Sequence, residues 1–206
     1  MDDLIAGYHR FRKQRWPERR QVFERLSESG QQPMAMVVAC VDSRVDPAMI
    51  FDAGPGEMLI VRNVANLVPP YAPDEAYHGT SAALEFGVRV LKVRDLIVLG
   101  HGQCGGIQAL LHGAPDNARD FVGPWMTMAE EARVAALKEP QGPTRQQCCE
   151  YEVIKVSLRN LMTFPWIAER VWTGELRLHG GWFAIHSGEL MLLGPDGKFV
   201  SVDLSF

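Results

Sequence analysis

The fold class follows from an uninterrupted apolar stretch near the start of the chain, MVVACV at residues 36–41. Two further stretches of the same kind follow it, MLIV at residues 58–61 and LIVL at residues 96–99. Because none of the three alternates apolar with polar residues, they predict strands buried on both faces, as in a parallel sheet. Apolar residues at helical spacing over residues 81–93 predict a crossover helix between the second and third strands. This order of elements indicates an α/β fold with a mainly parallel central sheet flanked by helices.

The chain preceding the first strand is predicted to form a helical arm over residues 1–30. Leu4, Tyr8 and Phe11 have the spacing of one helix face, and Pro17 suits the first turn of a second helix. Basic residues crowd between Arg10 and Arg20. We interpret them as a solvated helix face and not as a patch for an anionic partner, because the chain as a whole is acidic.

The C-terminal part is predicted to contain two helices followed by extended segments. Thr144, with Gln147 three residues later, resembles a capping box for a helix that runs to about Met162. A further helix is expected from Pro165 to Gly174. The segments 175–178, 183–185, 189–193 and 198–204 look extended. The sequence GPDG at residues 194–197 is a turn signal, so the last two segments are predicted to form a C-terminal β-hairpin.

Size and composition restrict the class of protein. The chain has 206 residues, 47% hydrophobic and 22% charged, with a formal net charge of −4. These values predict one globular domain over residues 1–206 and give no sign of a nucleic-acid partner. No secretory signal and no membrane span are predicted, so the protein is expected in the cytoplasm with its four cysteines reduced. The cysteines are then metal ligands, nucleophiles or buried apolar groups.

Two polar clusters come directly after predicted parallel strands. Cys40, Asp42 and Arg44 end the first strand, and His101 and Cys104 follow the third within a glycine-rich turn. Ligands collect beyond the carboxyl ends of strands in open α/β sheets, so both clusters are expected at one edge. Two cysteines and one histidine form a zinc donor set with one open position, which is typical of a catalytic site.

Each of these groups has a simpler interpretation when it is taken alone. A single strand cysteine is usually a small buried apolar residue, and a histidine after a strand is more often hydrogen-bonded than a ligand. Asp42 and Arg44 could be an ordinary surface ion pair, could orient a water on the metal, or Asp42 could fill the open position. Only the combination of the two clusters at one sheet edge favours a metal.

Four stretches of the sequence resemble the β-class carbonic anhydrases, in particular the plant-like branch at a bacterial-type length. They are ACVDSRV at residues 39–45, VRNVANLVPPY at 61–71, GTSAALEF at 79–86 and GHGQCGGI at 100–107. The resemblance implies one Zn²⁺ per chain, held by Cys40, His101 and Cys104, with Asp42 and Arg44 as a catalytic dyad. It further implies reversible hydration of CO2 to bicarbonate by zinc-bound hydroxide. The expected assembly is a homodimer at least, extending to a tetramer or higher, with the arm packed on a partner subunit.

The resemblance also assigns residues to the substrate pocket. Gln31 matches a glutamine that holds the substrate, the Gly105 amide matches a hydrogen-bond donor, and the apolar lining positions are matched by Leu59, Val64 and Phe86. Some relatives carry an inhibitory bicarbonate site of Trp, Arg and Tyr. Here Arg62 is present, but Val37 and Phe183 stand at the other two positions, so cooperative inhibition by bicarbonate is not expected.

Three other functions fit parts of the same pattern. A hydrolase of CS2 or COS would use the same zinc site, and the sequence does not distinguish its substrate access. A zinc- or bicarbonate-binding protein without activity would be expected to lack the dyad, which is intact here. A redox protein would use Cys40 and Cys104 as a reversible dithiol. Cys148 and Cys149 are interpreted as free thiols, and candidates for a proton shuttle are known by residue type alone: His78, His112, His179 and His186.

Overall fold

One mixed sheet of six strands forms the centre of the protein, which a computed structural model describes over residues 1–74 and 76–202. The strand order is β2-β1-β3-β4-β5-β6, in which β1 to β4 are parallel to one another, while β5 pairs antiparallel with β4 and with β6. The expected α/β fold is therefore confirmed. The strands are β1 (Ala35–Cys40), β2 (Met58–Asn63), β3 (Asp95–His101), β4 (Arg177–Ala184), β5 (Glu189–Leu193) and β6 (Phe199–Ser201).

Helices flank the sheet and occupy its connections. The predicted crossover helix is α4, which continues into a wider π-helical turn at Phe86–Val90. Within residues 1–74 and 76–202, no helix combines the length and the hydropathy that a bilayer crossing requires. The helices are α1 (Asp2–Arg10), α2 (Trp16–Ser29), α3 (Pro47–Ile50), α4 (Gly79–Glu85), α5 (Gly105–His112), α6 (Val122–Met126), α7 (Glu130–Ala136), α8 (Pro143–Leu161) and α9 (Pro165–Trp172).

The strand register brings the ends of β1 and β3 to the same edge of the sheet. Ala39 pairs with Leu99, and Cys40 pairs with Asn63 on the other side. Both faces of β1 are buried: Met36 and Val38 belong to one apolar cluster, while Val37 and Ala39 belong to another. Burial on two faces explains why this strand has no polar alternation. The pairing of β1 with β3 also places Cys40 and His101, the last residues of these strands, at the edge of the sheet where the candidate site lies.

The N-terminal arm carries an apolar face that its own chain does not cover. No residue of α1 or α2 is buried, and the side chains of Leu4, Ile5 and Tyr8 are exposed. A π-helical turn at Phe11–Arg15 joins the two helices just before Pro17, which has no amide hydrogen to continue the regular pattern. The two predicted arm helices are thus confirmed.

Two local predictions were wrong, and one lies partly outside the described residues. Helix α8 begins at Pro143 after Gly142, with no side-chain cap, because proline suits the first helical position and displaces Thr144 from the capping site. The segments predicted at 175–178 and 183–185 belong to one strand, β4, since Gly180 and Gly181 pair with β3 without interruption. The predicted hairpin is confirmed by β5 and β6, but residues 203 and 204 of its second segment lie outside the described residues.

Candidate metal centre

Three buried side chains converge at the carboxyl edge of the sheet. Cys40 ends β1, His101 ends β3, and Cys104 precedes the first residue of α5. Their donor atoms all lie within 4.8 Å of one another, and the two sulfurs are 3.9 Å apart. The ends of two parallel strands and the start of a helix therefore bring together the three side chains that were predicted from the sequence to lie close to one another.

The orientation of the His101 ring suits a metal ion. Its Nδ1 lies 2.9 Å from the carbonyl oxygen of Gly102, which can only accept, so Nδ1 carries the proton. The other nitrogen, Nε2, is buried and has no hydrogen-bond partner among the described residues. A buried polar atom without a partner is costly, and a nitrogen lone pair facing two sulfurs is the arrangement found in zinc sites. The donor set consequently fits Zn²⁺, which accepts sulfur and imidazole ligands in a tetrahedron.

The two cysteines are electrostatically coupled. The hydrogen bond between the two sulfurs lowers the pKa of Cys40, and the same contact together with burial raises the pKa of Cys104. Two thiolates at this distance repel each other, so both ionise together only when a cation lies between them. The backbone amides of Gly106 and Ile107 favour the thiolate of Cys104 and so offset a part of this increase in its pKa. A divalent cation between the two sulfurs would therefore allow both cysteines to ionise.

Asp42 and Arg44 form a bidentate pair beside the metal donors. The Nε and backbone amide of Arg44 donate to Asp42 Oδ1 at 2.9 and 3.0 Å, and Nη2 donates to Oδ2 at 2.7 Å. These bonds hold the pKa of the Asp42 carboxyl far below its usual range. Asp42 Oδ2 lies 3.9 Å from His101 Nε2. Arg44 also donates to the carbonyl of Gln103 at 3.1 Å, which ties the two polar clusters together.

Arg62 supports the segment that carries the dyad. Its guanidinium donates to the backbone carbonyls of Cys40 at 2.8 Å, Asp42 at 2.5 Å and Val45 at 3.2 Å. A planar group with several donors suits this task, because it fixes three carbonyls of one turn at once. The residue that the sequence analysis considered for a bicarbonate site therefore has a backbone-binding role here, and Val37 and Phe183 do not add the other two groups of such a site.

Backbone strain is concentrated around the same site. Ala65, Asn66 and Gln103 have φ angles of 62°, 48° and 57°, in the left-handed region that residues with a side chain rarely adopt. At Gly106 a Cβ atom would lie 2.8 Å from Cγ1 of Val64 and 3.0 Å from the Cβ of Ala65. The close approach requires glycine at that position. Strain of this kind is typical of functional sites.

An open cavity of about 900 Å³ adjoins the dyad. Asp42, Arg44 and Gly105 line it, and so do His112 and His186. The other two shuttle candidates lie elsewhere. His78 pairs with Asp74, and His179 pairs with Asp95, the residue that begins β3 at the opposite edge of the sheet.

Three of the predicted pocket residues do not reach the metal site of their own chain. Gln31 is exposed and precedes β1, whereas Cys40 ends that strand. Leu59 pairs with Met36, four residues before Cys40, which is about 13 Å along the strand. Phe86 is 48% exposed and lies next to Gly87, which packs on Met36 and Leu59. By contrast, Val64 contacts Gly106 at the site, and its carbonyl accepts a hydrogen bond from Trp125.

One residue of the site was missed by the sequence analysis. Glu150, on α8, is 3% exposed and accepts a hydrogen bond from the backbone amide of Cys104. It also lines the cavity next to Asp42 and Arg44. The charge of a glutamate gives no local sign of burial. The one available signal was that it follows Cys148 and Cys149 on a helix with an apolar face.

Comparisons with known proteins agree on one family. A family model described as carbonic anhydrase matches residues 35–190. The chain is 38% identical over 188 residues to β carbonic anhydrase 5, chloroplastic, of Arabidopsis thaliana, which covers 88% of the chain and 61% of that longer protein. It is 36% identical over 205 residues to a carbonic anhydrase of Pseudomonas aeruginosa, covering 98% of the chain and 92% of the relative.

Solved structures show the same fold. The β-carbonic anhydrase CcaA superposes with a TM-score of 0.92 at 33% identity, covering 98% of this chain and 99% of the other. A tetrameric β-carbonic anhydrase of Sordaria macrospora superposes with a TM-score of 0.83 at 23% identity, with 98% of each chain covered. The second likeness concerns the fold alone.

Proposed function

This chain belongs to the β-class carbonic anhydrases, and on that premise we propose that it catalyses the reversible hydration of CO2 to bicarbonate and a proton. The observation that carries the proposal is that Nε2 of buried His101, which faces the sulfurs of Cys40 and Cys104, has no hydrogen-bond partner within residues 1–74 and 76–202. These three side chains would hold one Zn²⁺ per chain. When bound, zinc would supply a Lewis acid that lowers the pKa of a coordinated water.

The residues around the donor set orient the reacting water, bind the substrate and provide the exit for the proton. Asp42 is a permanent hydrogen-bond acceptor, because Arg44 keeps it ionised and fixes both of its oxygens. We assign to it the orientation of the reacting water, and to Arg44 the positioning of Asp42. Gly105 is exposed at the start of α5 and lines the cavity, and we assign to its amide the donation of a hydrogen bond to a substrate oxygen. Val64 contributes an apolar wall that suits CO2. The proton that hydration releases leaves through the cavity that His112 and His186 line.

The experiment that tests the function is stopped-flow CO2 hydration with the zinc content measured on the same sample. We expect zinc near one per chain and fast hydration whose rate depends on a zwitterionic buffer. Full zinc without hydration, even at alkaline pH, would contradict the proposal and favour a CS2 or COS hydrolase or a binding protein. A protein without zinc that forms a reversible Cys40–Cys104 disulfide would instead be a redox dithiol protein.

We propose that Gln31, Leu59 and Phe86 complete the pocket of a second copy of the chain. In their own chain they lie far from Cys40, while Gln31 and Phe86 are exposed and available to a partner. The uncovered apolar face of α1 gives such a partner a surface to bind. This arrangement implies a homodimer at least, and the tetrameric relative is consistent with further assembly.

Subunit mixing tests this arrangement. One parent would carry His101→Ala, which removes a metal ligand, and the other would carry Gln31→Ala together with Phe86→Ala. In a mixed dimer the second parent's intact metal site receives the first parent's intact Gln31 and Phe86, so one of two sites should regain activity. Hydration by the separated mixed dimer that is no faster than the average of the two parents would contradict the shared pocket.

A further inference from the structure

A buried carboxylate lies directly behind the metal donors. Glu150 accepts hydrogen bonds at Oε1 from the backbone amide of Cys104 at 3.2 Å and from Nε2 of Gln146 at 3.0 Å. Its other oxygen, Oε2, accepts from the indole Nε1 of Trp182 at 3.0 Å. No lysine or arginine of the described residues lies within ion-pair distance of it. The carboxylate is therefore held by neutral donors alone.

Such a residue is expensive to bury and needs a compensating role. Glu150 is only 3% exposed, so its charged form loses water that the neutral donors replace only in part. A glutamine or an apolar residue would fill the same space without that cost. The neighbouring Glu152, which is partly exposed and paired with Lys155, carries no comparable penalty. The free energy that desolvation of the Glu150 carboxylate costs therefore indicates a role that requires a strong hydrogen-bond acceptor.

The contacts of Glu150 converge on the turn that delivers Cys104. Its hydrogen-bond partner Trp182 belongs to β4 and packs on that turn. The indole ring lies so close to Gly102 that a Cβ atom added there would be 3.1 Å from it. The residue after Trp182, Phe183, pairs with His101. Helix α8, the metal turn and β4 therefore meet at this one carboxylate.

Cys104 is held from both sides as a result. Its own amide donates to Glu150, while its carbonyl oxygen accepts from the amide of Gln108, in the first turn of α5, at 3.0 Å. The direction of the Cα–Cβ bond, and with it the position of the sulfur, is set between these two groups of bonds.

We propose that Glu150 is a positioning residue for the metal site, one that fixes the Cys104 sulfur relative to Cys40 and His101 by binding the Cys104 amide and the Trp182 indole. The proposal rests on the zinc site of the proposed function. Hydrogen-bond partners one step behind metal ligands commonly change metal affinity by about 10- to 100-fold when they are removed. We expect a change of that size here.

The test is Glu150→Gln, which preserves the size of the side chain. Glutamine offers one acceptor oxygen and one NH2 group, whose hydrogens oppose either the indole of Trp182 or the amide of Cys104. Zinc affinity, measured by competition with a chelator, should fall about 10- to 100-fold. The visible spectrum of the Co²⁺-substituted protein should shift, because it reports the geometry of the sulfur ligands. The control Glu152→Gln should keep both the affinity and the spectrum of the unmodified protein.

A merely structural role makes a different prediction. It would lower the melting temperature of the metal-free and zinc-loaded proteins equally and would leave the zinc affinity and the cobalt spectrum unchanged. That result would overturn the proposal. Trp182→Phe removes one of the same bonds from the opposite side, so it should weaken zinc binding in the same direction. It also serves as the deciding variant if Glu150→Gln does not fold, in which case unchanged affinity in Trp182→Phe overturns the proposal.

The readouts separate this proposal from the function itself. An unmodified protein that binds zinc but does not hydrate CO2 would contradict the function and leave the affinity comparison valid. An unmodified protein that binds no zinc would overturn both at once, before any variant is compared.

Discussion

His101→Ala is expected to lose zinc and CO2 hydration together. Four-ligand zinc sites in small proteins are worth about 10–16 kcal/mol, so one ligand contributes on the order of 3 kcal/mol, or roughly a 100-fold change in affinity. With only the two sulfurs of Cys40 and Cys104 left in the protein, zinc should be lost on dialysis against a mild chelator. Hydration should then fall to the rate of the buffer alone. Zinc content and stopped-flow hydration on the same preparation provide the measurement.

His112→Ala is the matched control for metal binding. His112 ends α5, which Cys104 precedes, and it lines the cavity beside the dyad, but it is exposed and is not among the grouped donors. This variant should keep its full zinc content. If His101→Ala retained zinc as firmly as His112→Ala, the assignment of the metal site to His101 would be wrong.

Asp42→Asn is expected to reduce turnover strongly while zinc stays bound. Acceptance of a proton or a hydrogen bond from the reacting group by a placed side chain is typically worth about 10²- to 10⁴-fold in rate. Asparagine has one acceptor oxygen instead of two, and its NH2 group opposes the Arg44 donor at whichever position, Oδ1 or Oδ2, it occupies. We therefore expect kcat to fall by about 10²-fold or more, with an unchanged zinc content.

Asp52→Asn is the control for the loss of one negative charge. Asp52 follows α3, is exposed, and has a φ of 48°, a conformation that asparagine accepts readily. The control should hydrate CO2 at the rate of the unmodified protein. Full activity in Asp42→Asn would refute the role assigned to Asp42. Loss of zinc from Asp42→Asn would instead show that Asp42 serves the metal as a ligand.

Much of the fold could be predicted from local sequence. The three apolar stretches became β1, β2 and β3, because a strand buried on both faces needs apolar residues at every position. Pro165 and Gly174 marked the limits of α9, and GPDG marked the turn before β6. Thr144 was misjudged because a proline one residue earlier was the stronger helix start. Residues 175–178 and 183–185 were predicted as separate segments, but Gly180 and Gly181 between them pair with β3, and this pairing overrides the weak strand preference of glycine.

The sequence alone determined that Cys40, Asp42, Arg44, His101 and Cys104 meet at one edge, since the carboxyl ends of parallel strands necessarily lie together. Only the tertiary structure decided which His101 nitrogen is free, that Gln31, Leu59 and Phe86 lie away from their own metal site, and that Glu150 is buried behind Cys104. The reason is physical. Periodicity along a chain reports how one element is buried, whereas ring orientation and the burial of a charge depend on donors that distant segments bring to the same point.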